Sequence, residues 1–345
     1  MANKVTIHDI ADVCGVSIAT VSRVMNNSTF VREETRQRVL EAISRLGYTA
    51  NETARSLRTQ KRSLLGVIMS DITNPFFGNV LKGIDEAARE RGYTLLFVNV
   101  DGSFDLELEY LSSMKERCAT IILVTADFRA EHSLEIQRSR VPVVIASGRV
   151  SDPNVPCVGV DNAAAAFDMT RHLLELGHQR IALITGPSRD VLASEERVKG
   201  FRLALQGARV VIQQEYIQEG DFSVESGRQG MEALLSVRPR PTAVFCLNDE
   251  MAVGALQAIK SAGLDVPGDI AVAGFDGIPM AAVVDPPLTT IAQPRFEIGY
   301  QSALLAIALA EGTSPSSLKR TLPYELVIRP STRPQAKEGW AQVSG

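Results

Sequence analysis

Polar and aromatic side chains follow several apolar segments in the larger, C-terminal part of the chain. Carboxylate and amide groups pair with hydroxyl groups, whereas an aromatic face stacks on the C–H face of a sugar. The pattern therefore predicts a binding site for a polyhydroxylated ring. The candidate ligand-contacting residues are Asp71, Asn74, Phe76, Phe77, Ser147, Arg149, Asp161, Arg197, Phe222, Asn248 and Asp276.

Some of these residues have a structural alternative. Asp161 is interpreted either as a ligand contact or as the N-cap of the helix that follows it. Phe76 and Phe77 are adjacent, so from one helix only one of them is expected to face a cleft and the other to enter the core. Asp249 is interpreted as a helix cap rather than a ligand contact. Arg149 is the expected partner of any carboxylate or phosphate on the ligand.

The elements that position these residues follow a repeated pattern. Apolar strands alternate with amphipathic helices, and the series occurs twice in succession. This alternation is typical of an α/β fold with parallel sheets covered by helices, and two units predict two lobes. Ligands of such sheets bind at the carboxyl ends of the strands, so a cleft is expected between the lobes. The predicted strands are 64–69, 94–98, 120–124, 142–146, 180–185, 243–247, 270–274 and 322–329. The predicted helices are 76–91, 105–116, 163–176, 194–207, 250–262 and 296–311.

Apolar residues at helical spacing in the first 47 residues, Val13 and Leu40 among them, predict three short helices around one small core. Thr6 and Asp9 have the spacing of a capping box, which begins the first helix. Gly15 suits a turn with positive φ, Ser17 can cap the second helix, and Gly47 can end the third. A helix, a short glycine-containing turn and a second helix form a helix-turn-helix motif.

The second helix of this motif exposes side chains that can read DNA. Arg23 can bond guanine through two hydrogen bonds, whereas Ile18 and Ala19 offer only apolar contact, for instance to a thymine methyl group. Neighbouring hydroxyl groups suit phosphate contacts. A three-helix protein-interaction domain with solvated polar residues is the alternative. The predicted DNA-contacting residues of the head are Thr6, Ser17, Ile18, Ala19, Thr20, Ser22, Arg23, Asn26 and Tyr48.

Charge and composition agree with this division. Residues 1–62 carry ten Lys and Arg against six Asp and Glu, whereas the whole chain carries 36 against 40. A basic head on an acidic body suits a polyanion-binding module joined to a domain with another role. No apolar run approaches the roughly 18 residues of a membrane span, and the polar N-terminus predicts no signal peptide, so a cytoplasmic location is expected. The four cysteines are scattered, and no metal or cofactor is expected.

The head carries a specific resemblance. The segment that runs VTIHDIADVCGVSIATVSRVMN from Val5, and the segment from Thr35 to Tyr48, resemble the DNA-binding head of the lac repressor family. The resemblance continues to about residue 333. It implies a homodimer that binds a palindromic operator. Arg32 is a departure, because the family usually has a Ser cap at that position.

The polar segment after the head reads from its composition as a flexible linker, with at most a marginal helix beginning at Asn51. The family resemblance implies hinge helices that pair across the dimer and enter the minor groove. Leu57 matches the leucine that wedges between base pairs, and Ala54 the residue that lets the helices approach. Arg55 and Arg58 would face phosphates.

The body resembles a periplasmic sugar-binding protein. Arg197, Asn248 and Asp276 match effector-contacting positions of the family, and Phe222 matches an aromatic residue that packs on the effector. Ser147 stands where many sugar-binding members carry Asp. The resemblance therefore implies an effector that is a sugar, a sugar acid or a nucleoside.

The expected function is that of a DNA-binding transcriptional regulator, more specifically a repressor, controlled by this effector; whether the effector releases DNA or promotes binding stays open. An enzyme is disfavoured because the sequence has no GxGxxG, phosphate-loop, HExxH or GxSxG motif. The helical head argues against a transport protein, and the large body against an architectural DNA-binding protein.

The expected domains are residues 1–48 (head), 49–62 (hinge) and 63–333 (body), followed by a disordered tail, 334–345. Within the body, lobe 1 is expected over 63–161 and 292–321, and lobe 2 over 162–290 and 322–333.

Overall fold

The computed structural model describes residues 5–25, 30–47, 63–125, 128–148, 150, 152–187 and 192–332. The chain divides into two compact units, residues 1–62 and residues 63–345. The first is helical, and the second contains two six-stranded sheets with helices.

Three helices form the head: α1 (Ile7–Cys14), α2 (Ile18–Met25) and α3 (Glu33–Leu46). Thr6 caps α1 in a capping box with Asp9, and Gly15 ends the helix with a φ of 62°. The Ser17 hydroxyl accepts from the Thr20 amide at 3.1 Å at the start of α2. These local predictions are confirmed. Arg32 precedes α3 without a side-chain cap, as its side chain suggests.

The head core contains fewer apolar residues than the helical spacing predicts. Ile10, Val21 and Val39 are fully buried and pack together. Val13 and Leu40, which the spacing also placed on apolar faces, are each 49% exposed. Three short helices enclose too little volume to bury every apolar side chain, since small domains retain a large surface for their volume.

Lobe 1 of the body is built on a wholly parallel sheet with the order β11-β5-β4-β3-β1-β2. Its four central strands are buried on both faces, as expected for a sheet covered by helices on both sides, whereas its two edge strands are partly exposed. The strands are β1 (Leu64–Met69), β2 (Thr94–Asn99), β3 (Thr120–Val124), β4 (Val143–Ala146), β5 (Cys157–Gly159) and β11 (Lys319–Thr321). The helices are α4 (Pro75–Glu90), α5 (Phe104–Met114), α6 (Ala130–Arg138) and α12 (Arg295–Ala310).

Lobe 2 repeats the arrangement with the order β12-β10-β9-β8-β6-β7, in which only β12 runs antiparallel to its neighbour. The strands are β6 (Ile181–Thr185), β7 (Ile217–Glu219), β8 (Ala243–Cys246), β9 (Ala271–Asp276), β10 (Thr289–Ala292) and β12 (Glu325–Val327). The helices are α7 (Asn162–Glu175), α8 (Leu192–Gly207), α9 (Val224–Ser236), α10 (Asp249–Ser261) and the short α11 (Met280–Val283).

The chain passes between the lobes near residues 161, 293 and 323. The sequence had predicted one strand over 322–329 at the last passage, and this prediction is wrong. Two short strands, β11 and β12, belong to different sheets instead. Pro323 lies between them, and because proline has no N–H to donate to a ladder, the pairing ends there.

Candidate ligand cavity and DNA-reading helix

A cavity of about 450 Å³ lies where the carboxyl ends of strands from both sheets meet. Its volume is within the range of sites for sugar-sized molecules. Lobe 1 contributes Ser70, Asp71, Asn74, Phe76, Phe77, Asp101, Gly102, Arg129 and Ser147. Lobe 2 contributes Pro187, Ala193, Arg197, Asp221, Phe222, Asn248 and Asp276.

Arg197, on α8, is buried in the lobe-2 wall of the cavity. Its Nε donates to Asn162 Oδ1 at 2.9 Å, and its terminal nitrogens donate to the Leu247 carbonyl and, at 3.4 Å, to Asp276 Oδ1. The guanidinium carbon lies 3.7 Å from the centre of the Phe275 ring. Burial lowers the pKa of Arg197, and the nearby carboxylates, Asp276 first, oppose that shift. The side chain is therefore fixed before any ligand arrives.

Asp276 ends β9 and completes this network. Its Oδ1 accepts from Gln293 Nε2 at 2.8 Å as well as from Arg197. Burial raises the pKa of Asp276, whereas the positive charge of Arg197 lowers it. Lobe 2 thus presents a buried ion pair whose remaining hydrogen-bonding capacity faces the cavity.

Asn248 both lines the cavity and caps α10, a cap that the sequence had predicted at Asp249. Its Oδ1 accepts from the Met251 amide at 2.9 Å. Its Nδ2 donates to the Phe222 carbonyl at 2.8 Å. Asp249 is fully buried and accepts from Ile278 N at 2.8 Å. The prediction that Asp249 is the cap is therefore wrong, and Asp249 is not among the residues that line the cavity.

Burial also makes Asp249 an unusual acid. Desolvation and, next, the Asp276 carboxylate raise the pKa of Asp249 to about 8. The hydroxyl of Thr290, which donates to Asp249 Oδ1 at 2.6 Å, opposes the shift. Asp249 therefore keeps its proton to a higher pH than an ordinary aspartic acid, and Asp276, whose pKa burial also raises, is the acid that pairs with Arg197.

Phe76 and Phe77 both line the cavity, although the sequence analysis expected one of them to lie in the core. Their rings are perpendicular, with centroids 5.2 Å apart. They are 5% and 8% exposed and also pack on the lobe-1 core. Both can do so because they occupy the first turn of α4, where the helix end itself faces the cavity.

Phe222 supplies the aromatic surface of lobe 2. It has a φ of 70°, and its ring passes over Gly186 so closely that a Cβ atom there would lie 2.2 Å from Phe222 Cζ. Only glycine leaves room for this ring position. Aromatic rings therefore enter the cavity from both lobes.

Three further predicted residues are held by local bonds. Asp71 Oδ1 accepts from the Thr73 amide and hydroxyl, and Asn74 caps α4. Ser147 has a φ of 74° and donates from Oγ to the Thr125 carbonyl at 3.5 Å. All three line the cavity. Asp161 does not; it caps α7 by accepting from the Ala164 amide at 3.0 Å.

The proposed DNA-reading helix, α2, presents Ala19 and Arg23 to solvent, and Val21 and Val24 are buried on its opposite face. Ile18 is half-buried against the head core. The hydroxyls of Ser17 and Thr20 lie 2.9 Å apart, and Ser22 is half-buried. Thr6 is exposed but occupied by its capping box.

Comparison with known proteins decides the family. Residues 6–51 match the model of bacterial regulatory proteins of the lacI family, and residues 62–327 match that of periplasmic binding proteins and the sugar-binding domain of the LacI family. The chain belongs to the LacI family of bacterial regulatory proteins. This LacI-family chain is thereby a DNA-binding transcriptional regulator, and its two-lobed body has the fold that the sequence predicted.

Individual members are similar over nearly their whole length. Catabolite control protein A of Priestia megaterium is 37% identical over 332 residues, which cover 96% of this LacI-family chain and 100% of that protein. The repressor CytR of Escherichia coli K12 is 37% identical over 329 residues, which cover 95% of this chain and 96% of CytR. The lac repressor dimer bound to operator and the anti-inducer ONPF has a TM-score of 0.88 at 28% identity, covering 96% and 99%.

Sequence reasoning found nine of its eleven effector candidates in the cavity wall of this LacI-family regulator. Asp161 lies outside the wall, and Arg149 lies outside the described residues. The head and hinge candidates Asn26, Tyr48, Asn51, Ala54, Arg55, Leu57 and Arg58 also lie outside them. The wall residues that it missed are Ser70, Asp101, Gly102, Arg129, Pro187, Ala193 and Asp221.

Some missed residues had a signal. Asp101 and Gly102 follow strand β2, and Asp221 follows strand β7. Their positions just after the carboxyl ends of strands are the signal that predicted the other cavity residues. Arg129 precedes α6, a helix that the sequence did not predict.

In the part of the chain that the structure describes, no group of acidic, His or Cys residues is arranged to hold a metal ion. None of the described helices has the length and apolar character needed to cross a membrane.

Proposed function

We propose that this chain is a homodimeric repressor whose affinity for a palindromic operator is controlled by a sugar or nucleoside bound in the cavity. One observation supports the proposal: polar and aromatic side chains from both lobes line a single cavity in a chain that also carries a helix-turn-helix head. A ligand that contacts both lobes stabilises one lobe arrangement more than another, because it makes different contacts in each.

The head is proposed to supply sequence recognition. Arg23 is exposed near the end of α2, where its guanidinium can reach the edge of a guanine. Ala19 and Ile18 are assigned apolar contacts, and the hydroxyls of Ser17, Thr20 and Ser22 are assigned to phosphates, as are Thr6, Asn26 and Tyr48. Each phosphate contact that is lost is expected to reduce the slope of log K against log salt by about 0.9.

The hinge is proposed to link effector binding in the body to DNA binding by the head. Leu57 is assigned the wedge in the minor groove, Ala54 the close approach of paired hinges, and Asn51, Arg55 and Arg58 the flanking contacts. Inserting an apolar wedge unstacks a base step, and the bent duplex compensates by contacting more protein surface. An effector that alters hinge pairing would then couple to DNA with a typical allosteric free energy of about 1–3 kcal/mol.

The cavity is proposed to bind its effector through polar and aromatic residues of both lobes. Arg197, Asp276 and Asn248 would bond hydroxyl groups from lobe 2, and Asp71, Asn74 and Ser147 would bond them from lobe 1. Phe76, Phe77 and Phe222 would pack on the ring faces. Regulation rather than catalysis is proposed as the role of this site. The cytoplasm is the proposed location, because a regulator of bacterial transcription acts on chromosomal DNA.

The test begins with the full-length protein and a random duplex library. We expect selection of a palindromic sequence, a dimeric mass by light scattering, and an operator affinity that changes when a sugar or nucleoside is added. Arg23→Ala is expected to weaken binding to the selected duplex by about 1–3 kcal/mol more than binding to random DNA. Arg45→Ala, an equal change of charge at an exposed site on α3, is the matched control and should affect both DNAs alike.

Two results would contradict the proposal. A monomer that prefers no duplex sequence, with or without ligand, would remove the regulatory function. An equal loss of both affinities in Arg23→Ala would reduce Arg23 to a phosphate contact.

A further inference from the structure

The described cavity wall contains more acidic than cationic residues, and this difference affects which ligands can bind. Among the described lining residues, two are cationic, Arg129 and Arg197. Four are acidic, Asp71, Asp101, Asp221 and Asp276. Among the lining residues that the structure describes, acidic groups therefore outnumber cationic groups by two.

Arg197 is poorly suited to receive an anion. Its guanidinium already donates to the side chain of Asn162, to the Leu247 carbonyl and to Asp276 Oδ1. One of its faces is covered by the Phe275 ring. The paired Asp276 carboxylate neutralises its charge within the wall, so a ligand anion would compete with an acid that cannot leave.

The other cation, Arg129, lines a cavity that three acids outside the Arg197–Asp276 pair also line. Arg129 is half-buried, and its guanidinium carbon lies 4.2 Å from the centre of the Phe104 ring. Asp71, Asp101 and Asp221 line the same cavity from the ends of three different strands. An anionic group placed near Arg129 would also meet the repulsion of these carboxylates, of which Asp71 is half-buried and Asp101 and Asp221 are exposed.

Hydrogen-bonding capacity points the same way. Ionised carboxylates only accept hydrogen bonds, so the accepting capacity that local bonds to Asp71, Asp101 and Asp221 leave over is complementary to donors on a ligand. Hydroxyl and ammonium groups are donors, whereas a phosphate dianion or a carboxylate offers only acceptors. A wall with several carboxylates is thus complementary to a polyol and mismatched to its acidic derivative.

The pKa of Glu250, an acid next to the cavity wall, is raised by burial and also by the wall carboxylates. Glu250, in the first turn of α10, is half-buried. Burial and then the carboxylates of Asp276 and Asp71 raise the pKa of Glu250 to about 7. Because those two acids belong to different lobes, their negative potentials overlap at the junction where the ligand would sit.

We propose that the cavity selects a polyol without an anionic group, meaning a neutral sugar, a nucleoside or an amino sugar, and rejects the phosphorylated and carboxylated counterparts. This inference rests on the proposed function, because it specifies the effector of the same cavity. It excludes the sugar acids that the family resemblance left open.

The experiment measures binding of matched ligand sets to the purified full-length chain by calorimetry. The probes are ribose, glucose, glucosamine, glucose 6-phosphate, glucuronate, cytidine, adenosine and the two nucleoside 5′-monophosphates. We expect at least one uncharged or aminated probe to bind, and each anionic counterpart of a binding probe to bind at least tenfold more weakly.

Variants identify the origin of the discrimination. The Asp101→Asn/Asp221→Asn double variant removes one wall carboxylate from each lobe with little change of shape, and should narrow the gap between neutral and anionic probes several-fold. The matched control, Asp105→Asn/Asp285→Asn, removes one exposed acid from each lobe outside the lining and should leave the ratio unchanged. Raising the salt concentration should strengthen binding of the anionic probes relative to the neutral ones.

The possible outcomes separate the two proposals. An anionic probe that binds as tightly as its neutral parent, or tighter, would overturn the charge assignment and leave the proposed regulator intact. Binding by no probe, in a protein that still selects an operator, would overturn this inference together with the sugar or nucleoside effector. Absence of operator selection alongside normal polyol discrimination would instead refute the regulatory function alone.

Discussion

Replacing Asp249 by Asn removes a carboxyl group that is fully buried directly behind the cavity wall. The two side chains are nearly equal in size, and an Asn Oδ1 can still accept from the Ile278 amide, as Asp249 does at 2.8 Å. The substitution therefore changes ionisation while it preserves packing. It tests whether the wall behind Asp276 is as desolvated as the geometry indicates.

The magnitude follows from proton linkage. Burial raises the pKa of Asp249 from 3.8 to about 8, so the folded protein binds more protons than the unfolded chain between these values. The stability of the unmodified protein should accordingly fall as pH rises through that window. Each pH unit corresponds to about 1.4 kcal/mol, and Asp249→Asn avoids this loss. From pH 5 to pH 7 the variant should gain about 2–3 kcal/mol relative to the unmodified protein.

Urea unfolding followed by far-UV circular dichroism at pH 5, 6 and 7 measures this difference. The pH response of every other group, Glu250 included, is common to both proteins and cancels to first order. Asp105→Asn, which removes an exposed carboxyl group, is the control. Its free energy of unfolding relative to the unmodified protein should not change between pH 5 and pH 7. A difference for Asp249→Asn that changes by less than about 0.5 kcal/mol between pH 5 and pH 7 would refute the reasoning.

Two further predictions concern glycines. Gly83→Ala should destabilise the body by about 1–3 kcal/mol in urea, because its Cβ would lie 2.0 Å from the Phe296 carbonyl oxygen and force α4 away from α12. Gly78→Ala, on the same helix with no atom within 4 Å, should instead stabilise it by about 0.5–1 kcal/mol, and a loss at both sites would contradict the packing argument. Gly186→Ala should displace the Phe222 ring and weaken effector binding about twofold to tenfold by calorimetry, with operator affinity in the absence of effector retained. Unchanged effector affinity would show that Phe222 does not contact the ligand.

Much of the architecture was predictable because its signals are local. Thr6 with Asp9, Gly15 and Ser17 specify helix ends through bonds and torsions within a few residues, and each is found where the sequence placed it. The buried strands of the parallel sheets read as continuous apolar runs for an equally simple reason, since helices cover both of their faces. Such features need no knowledge of distant partners.

Helix α9 shows why other elements escaped prediction. Gly227 and Gly230 lower its intrinsic helix propensity. In the folded body Gly227 lets α9 approach α10 so closely that a Cβ atom would lie 2.1 Å from the Met251 carbonyl oxygen. The residue that weakens the local signal is therefore the one that tertiary packing requires, and a reading of local propensity alone cannot recover it.

The cap of α10 was predicted at Asp249 rather than at Asn248 for a related reason. Both residue types are good helix caps, so the sequence offers no local basis for choosing between them. The choice is made by contacts with Ile278 and Thr290, which lie 29 and 41 residues further along the chain. A difference of one residue in the cap decides which side chain faces the cavity and which is buried behind it.

Backbone strain provides an independent argument that the cavity is the functional centre of the body. Five non-glycine residues in the described ranges have positive φ, and four of them, Asp101, Ser147, Phe222 and Asp276, line the cavity. Such conformations cost of order 1–3 kcal/mol each and persist where the surroundings enforce them. The four residues follow or end four different strands, two in each lobe. A peculiarity of one loop cannot explain that distribution, whereas a shared requirement to aim side chains at one ligand can.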